Sequence, residues 1–420
     1  LGGALHSRTA TRIGGVTAFA AAQLVSAAAV TLLLVVFDSV PALALYARQL
    51  PSLRGPQFLY AQVLFAALLL LPPAIVAGYA LPLCISSLGA DEARAGADVG
   101  DLYLANTGGA ILGSALCGFA FVPMLGTEST LRLGIVLSAA FAAAGALLAA
   151  RGGTRRLLTV GGGAVIAAAL SMPRWDRNVM DGGAGWREPQ FRSRLDAHSF
   201  LRKAPSELLF WEEGRNATVS VRRHYHGART LYVGGKPDAS DRFDMPTQVF
   251  LAALPMFGHP DARRVLVVGL GSGVTAGRVA ALGVDRVDVV EMEEAVVRAS
   301  VHFRDVNNDV ARNPRVRLRL MDARSYLMST RERYDLIISE PSNPWMAGVS
   351  TLFTRDYYQA ARRRLAPDGL FAQWIQVYSM DAGTLLQLLA TFAASFEQVQ
   401  VWNVGPADLM LLGAGSPVTF

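Results

Sequence analysis

The stretch Arg264-Val265-Leu266-Val267-Val268-Gly269-Leu270-Gly271-Ser272-Gly273 constrains the fold more than any other. Four apolar residues, mostly β-branched, run straight into a glycine-rich turn, the pattern of a parallel strand buried on both faces. Glycines there let the backbone turn tightly and come close to a ligand. A helix is expected over Val274–Leu282, its free N–H groups pointing back at the turn. A second strand, Val287–Val290, ends on Glu291. A doubly wound fold offers a carboxylate to a ribose hydroxyl about 20 residues beyond such glycines. As one unit the pattern predicts a Rossmann-type α/β domain. The competing reading is an α/β turn that merely needs glycine.

The stretch downstream extends that pattern. Glu294–Phe303 reads as a helix and Arg315–Leu320 as a third strand, ending at Met321-Asp322-Ala323. An acid at a strand's carboxyl end lies on the ligand side of such a sheet, where Asp322 could accept from an adenine amino group. The fourth strand, Tyr334–Ser339, runs into Glu340-Pro341-Ser342-Asn343-Pro344-Trp345. A carboxylate at Glu340 can take a proton or orient an amine; the alternative is a structural acid or helix cap. Asp356–Leu365 reads as a helix, Gly369–Gln376 as a strand, and Val399–Leu412 as a closing hairpin.

Ahead of the glycine turn, short strands alternate with turns: Leu208–Trp211, Ala217–His224 and Leu231–Val233. They predict a small antiparallel β-hairpin domain over 206–246, with the Rossmann-type domain over 247–420. Asp238, Asp241 and Asp244 follow in a loop. Either they are caps and solvated turn residues, or they line a site for a cation. His224 and His226 lack a third metal ligand nearby and read as a hairpin tip.

Hydrophobic residues make up 52% of the 420, and the surplus sits in the first 170. Five apolar segments lie there: Ile13–Phe37, Phe58–Leu83, Tyr103–Leu125, Leu133–Ala150 and Leu157–Met172. The first three reach the roughly 20 residues needed to cross a bilayer. Together they predict a transmembrane helical domain over 1–172, truncated at its N-terminus, followed by a polar linker over 173–205. The row Ala105, Gly109, Gly113 and Cys117 suits close helix packing, and Asn106 beside it would bond to a neighbouring helix. Arginines flanking the spans balance, so charge leaves orientation undecided. Net charge is +6, but without a dense basic run interleaved with aromatics nucleic acid is not a favoured partner. Cys84 and Cys117 read as small buried hydrophobes, and no metal site is expected.

Several motifs in order resemble the spermidine synthase (polyamine aminopropyltransferase) family, and more narrowly its membrane-fused members. They are Asp244-Met245-Pro246-Thr247-Gln248, Val268–Gly273, Glu291, Asp322-Ala323, Glu340–Pro344 and Leu352-Phe353-Thr354-Arg355-Asp356-Tyr357-Tyr358. Leu104–Gly113 is similar to a signature of the membrane part. The resemblance implies transfer of an aminopropyl group from decarboxylated S-adenosylmethionine, a co-substrate rather than a resident cofactor, to an amine. It implies that Gly269, Gly271, Gly273 and Gln248 contact the donor, Glu291 its ribose, and Asp322 with Ala323 its adenine. It makes Glu340 the general base, where the soluble enzymes carry aspartate, and Asp238, Asp244 and Asn343 substrate-binding residues. The soluble enzymes have a second aspartate at Asn343 and a donor-contacting glutamine at Asp238. One anchor for a diamine's second ammonium is therefore replaced by a neutral amide.

The expectation is an integral protein of the cell membrane with a cytoplasmic catalytic domain. Its partners are amine and nucleoside substrates, the lipid bilayer and a second copy of itself. The alternatives are an S-adenosylmethionine-dependent methyltransferase, and a polyamine- or nucleoside-sensing or transport protein without turnover.

Overall fold

The structure, a computed structural model, describes residues 15–50, 56–86, 95–181, 193–202, 206–346 and 348–416. Backbone contacts divide the chain into two units, Leu1–Ala204 and Pro205–Phe420.

The first unit is helical: α1 (Gly15–Phe37), α2 (Val40–Ala47), α3 (Pro56–Ser86), α4 (Ala95–Leu116), α5 (Val122–Leu125), α6 (Thr127–Ala149), α7 (Gly152–Ser171), α8 (Arg177–Met180) and α9 (Arg194–Arg202). A π-helical turn, Cys117–Phe121, joins α4 to α5. Among the described residues four stretches, Gly15–Phe37, Pro56–Ile85, Gly96–Leu125 and Thr127–Ala149, are long and apolar enough to cross a membrane. The fifth expected span does not join them. Its helix, α7, carries Arg155 and Arg156 near its start and three successive glycines, Gly161–Gly163, which dilute its hydropathy.

Small residues bring α1, α6 and α7 together. A Cβ built on Gly145 would stand 3.0 Å from the Ala20 Cβ, and one on Gly162 3.1 Å from the Ala139 carbonyl. Such contacts depend on side chains small enough for backbones to meet. The expected row on α4 behaves differently. Cβ atoms built on Gly109 and Gly113 meet nothing within 4 Å among the described residues, and Asn106 is exposed.

The expected linker is also more than a linker. Val179 of α8 and Ala197 and Leu201 of α9 form a buried cluster with Ala42 and Leu45 of α2. Ala197 and Leu201 lie four apart, on one helix face, amid charged residues that mask the pattern. Residues 182–192 and 203–205 of that stretch lie outside the described residues.

The second unit opens with an antiparallel sheet, β1 (Ser206–Glu213), β2 (Thr218–His224), β3 (Arg229–Val233) and β4 (Lys236–Ser240), in that spatial order. The fourth strand corrects the loop expected around Asp238. It forms the sheet's edge, where Pro237, lacking an N–H, is tolerated.

Next come α10 (Met245–Gly258), β5 (Arg264–Val268), α11 (Val274–Ala281), β6 (Arg286–Glu291), α12 (Glu294–Ala299), β7 (Val316–Leu320), α13 (Ala323–Ser329), β8 (Tyr334–Ser339), α14 (Arg355–Arg364), β9 (Leu365–Gln376), α15 (Ala382–Ala393), β10 (Gln398–Gly405) and β11 (Asp408–Ala414). The seven strands from β5 onward form one sheet ordered β10-β11-β9-β8-β5-β6-β7. The five from β9 to β7 run parallel, while β11 is antiparallel to β9 and β10.

Val265 to Val268 are buried on both faces, as the apolar run requires. The chain steps outward from β5 through β6 to β7, then returns to β8 on the other side of β5. This reversal is a topological switch point, the place where open α/β sheets bind ligands beyond the strands' carboxyl ends.

Two helices, α13 and α15, were not expected. Each begins on an aspartate whose side chain accepts a backbone N–H: Asp322 from Ser325 at 2.7 Å and Asp381 from Thr384 at 3.0 Å. The expected helix Glu294–Phe303 is α12 followed by a 3₁₀ turn, Ser300–Phe303.

Candidate active site

The glycine turn is clamped between its neighbours. The Gly269 N–H donates to the Val290 carbonyl at 2.9 Å, and the Glu340 N–H donates to the Val268 carbonyl at 2.9 Å. Glu291 and Glu340 therefore flank one turn, at the tips of the strands on either side of β5. Gly269 has φ of +87°, and a Cβ there would lie 2.6 Å from the Glu340 carbonyl oxygen. Gly273 has φ of +83°, with the Val310 side chain 2.6 Å from a built Cβ. These two glycines are required by the chain's own packing, whatever a ligand adds. Gly271, whose built Cβ meets only Ala239 at 3.7 Å, lies under β4.

Glu291 is held by backbone donors, from Leu270 at 2.9 Å and from Glu293 at 2.9 Å. Burial raises its pKa, and those N–H groups offset part of the rise. The Met321 N–H donates to the Glu291 carbonyl at 3.0 Å, so the tips of β6 and β7 are tied, bringing Asp322 and buried Ala323 to the same edge. Asp322 spends one carboxylate oxygen as the cap of α13.

Glu340 is half-buried, and burial pushes its carboxyl up to about 8. The Thr275 hydroxyl, at the start of α11, donates to the Gln248 carbonyl at 3.2 Å and, lying near Glu340, pulls the other way, while Asp238 and Asp244 add like-charge repulsion. A carboxyl with a pKa near the working pH suits proton transfer.

The three acids before α10 separate by role. Asp241 pairs with Arg229 at 2.7 Å, and Arg229 also reaches Asp305 at 2.6 Å and the His302 carbonyl at 2.7 Å. Asp241 thus holds Arg229, and Arg229 ties β3 to the segment at His302 and Asp305. Asp238 and Asp244 instead act electrostatically on Glu340. Asp244 occupies the N-cap position of α10 without capping by its side chain; its carboxyl is raised by burial first, then by Asp408 and Asp238. Gln248 is buried: its amide nitrogen donates to the Ser240 carbonyl at 2.9 Å, and its side-chain oxygen accepts from the Ser272 hydroxyl inside the glycine turn. Asn343 is fully buried, its side-chain oxygen accepting from the Tyr378 hydroxyl at 3.3 Å. His224, by contrast, meets Thr230 at 3.1 Å and stacks on His226 at the hairpin tip.

Sequence reasoning missed four polar residues that complete the site. Lys236 on β4 is buried, its ammonium 2.7 Å from Asp238 and 2.9 Å from the Ser342 hydroxyl. Ser342 in turn donates to Asp238 at 2.6 Å. Asp408 accepts from Trp374 at 3.1 Å and Thr247 at 3.3 Å, and burial raises its pKa. Thr275 is the fourth. One signal was available: Lys236 is one of only two lysines, with Lys203, in a chain whose other cations are all arginine. A compact ammonium was used where a guanidinium fork was the default.

Residues 245–404 match the family model described as the spermine/spermidine synthase domain. Most of the Rossmann-type domain of the second unit is therefore similar to that family's domain. The chain is 26% identical over 178 residues to a polyamine aminopropyltransferase of Methanocaldococcus jannaschii, covering 42% of this chain and 60% of that one. It is 32% identical over 149 residues to that of Nitrosomonas europaea, covering 35% and 46%. The chain thus spans about half the length of the curated relatives it matches. The solved spermidine synthase from Thermotoga maritima aligns with a TM-score of 0.45 and 19% identity, covering 50% of this chain and 73% of that one. The synthase-type match starts at Met245, so β1–β4, Lys236 and Asp238 lie before it and Asp408 after it.

Proposed function

We propose that this chain is a membrane-anchored aminopropyltransferase. It moves the aminopropyl group of decarboxylated S-adenosylmethionine to an amine and releases methylthioadenosine. One observation carries the reading: the Glu340 carboxyl, half-buried and raised to about 8, beside a glycine turn that Glu291 flanks on the other side. A protonated amine has no lone pair. Glu340 takes that proton, and the freed lone pair attacks the donor's carbon next to the sulfonium. The C–N bond forms as the C–S bond breaks, and sulfur keeps the pair as a neutral thioether. The sulfonium is already a good leaving group, so holding donor and amine in line supplies much of the rate. Glu291 binds the ribose and Asp322 the adenine, with Gln248 steadying the glycine turn. The four apolar helices span the cell membrane, and the synthase-type domain faces the cytosol, where the donor is made.

A second reading, a domain that binds a nucleoside or polyamine without turnover, is favoured by the neutral Asn343. Thermal-shift titration with S-adenosylmethionine, its decarboxylated form and methylthioadenosine reads donor preference. Stabilisation by the decarboxylated donor, with amine-dependent release of methylthioadenosine, is the expected result. Preference for the intact donor would make the domain a methyltransferase. Binding without release under any amine would leave the sensor.

A further inference from the structure

The acceptor side of the site already contains a cation. The Lys236 side chain is 3% exposed, and its ammonium sits between Asp238 and Ser342. Ser342 belongs to the loop after β8, two residues from Glu340 and one from Asn343. Lys236 also acts by charge on Asp244 and Asp408. An independent observation comes from Asn343. Its oxygen is taken by Tyr378, and its fully buried side-chain nitrogen has no hydrogen-bond partner. A buried, unmet N–H costs free energy unless a ligand supplies an acceptor. An ammonium has only donors and cannot supply one.

We infer that Lys236 occupies the position a diamine's second ammonium would take, so the acceptor used here is an amine with one ammonium and an acceptor oxygen at its far end. The inference rests on the aminopropyl-transfer reading. The ammonium end of such an acceptor meets Glu340. Its far oxygen accepts from the Asn343 side chain and from the third proton of Lys236. A diamine of the same length would set an ammonium against both donors.

Calorimetry on the full chain in detergent, saturated with methylthioadenosine, tests this without needing turnover. The probes are 1,4-diaminobutane, 4-amino-1-butanol and 4-aminobutyrate, matched in length. The expected result is binding of the amino alcohol or amino acid at least tenfold tighter than the diamine. Asn343→Asp, which restores a carboxylate, and Lys236→Met, which empties the position, should each shift the ratio toward the diamine by tenfold or more. Preference for the diamine in the unaltered protein, or a ratio that neither variant moves, would overturn the inference while leaving aminopropyl transfer intact. Failure to bind methylthioadenosine at all would remove the reading beneath it as well.

Discussion

Glu340 is the residue at which stability and the proposed chemistry oppose each other. Its folded-state pKa of about 8 lies above the ordinary 4.5, so the folded protein holds the proton more tightly than the unfolded chain. The stability this group contributes is complete below about pH 4.5 and is lost as pH rises through about 8. Glu340→Gln keeps the length of the side chain and removes the charge. It should raise the melting temperature by a few degrees at pH 9 and change it little at pH 5, which thermal shift at the two pH values checks. The same variant should lose about 10²–10⁴ of kcat, the usual contribution of a positioned acid or base. For the unaltered protein, kcat of the proposed transfer should climb with pH up to about 8 and then level. A profile with the same inflection in Glu340→Gln would assign the titration to another group.

Elements hold the site through their tips. The turn after β5 is threaded between backbone groups of β6 and β8, so its geometry belongs to three strands at once. Gly269→Ala adds a Cβ at positive φ and 2.6 Å from the Glu340 carbonyl oxygen. Such backbone strain costs about 1–3 kcal/mol. The melting temperature should fall, and methylthioadenosine should bind at least tenfold more weakly, because relief requires β8 to move away from β5. At the hairpin sheet, Asp241→Asn removes one of the two carboxylates that Arg229 of β3 bridges, the other being Asp305. Loss of one charged hydrogen bond there predicts a drop of about 1–3 kcal/mol in unfolding free energy by denaturant titration.

At the scale of the whole molecule, the two units differ in composition, and only the first carries helices long and apolar enough to cross a membrane among the described residues. Four helices with mean hydropathy between 1.8 and 2.3 predict that the chain stays with membranes through alkaline carbonate washing and leaves only in detergent. Release by carbonate would show that these helices do not span. The sequence by itself determined the apolar helical half, the Rossmann-type order around Val265–Glu291 and the acids at the strand tips. Each is written in local periodicity or in a strand running into a turn, and burial on both faces leaves a continuous apolar run. Only the tertiary structure decided which acids converge. Asp238, Asp241 and Asp244 look alike in sequence, yet Arg229 draws Asp241 to a structural role while the other two act by charge on Glu340. It also decided that Lys236 sits beside Ser342, 106 positions later in the chain. No local pattern encodes such a contact, because strand pairing and the switch in strand order, rather than neighbouring residues, bring the two together.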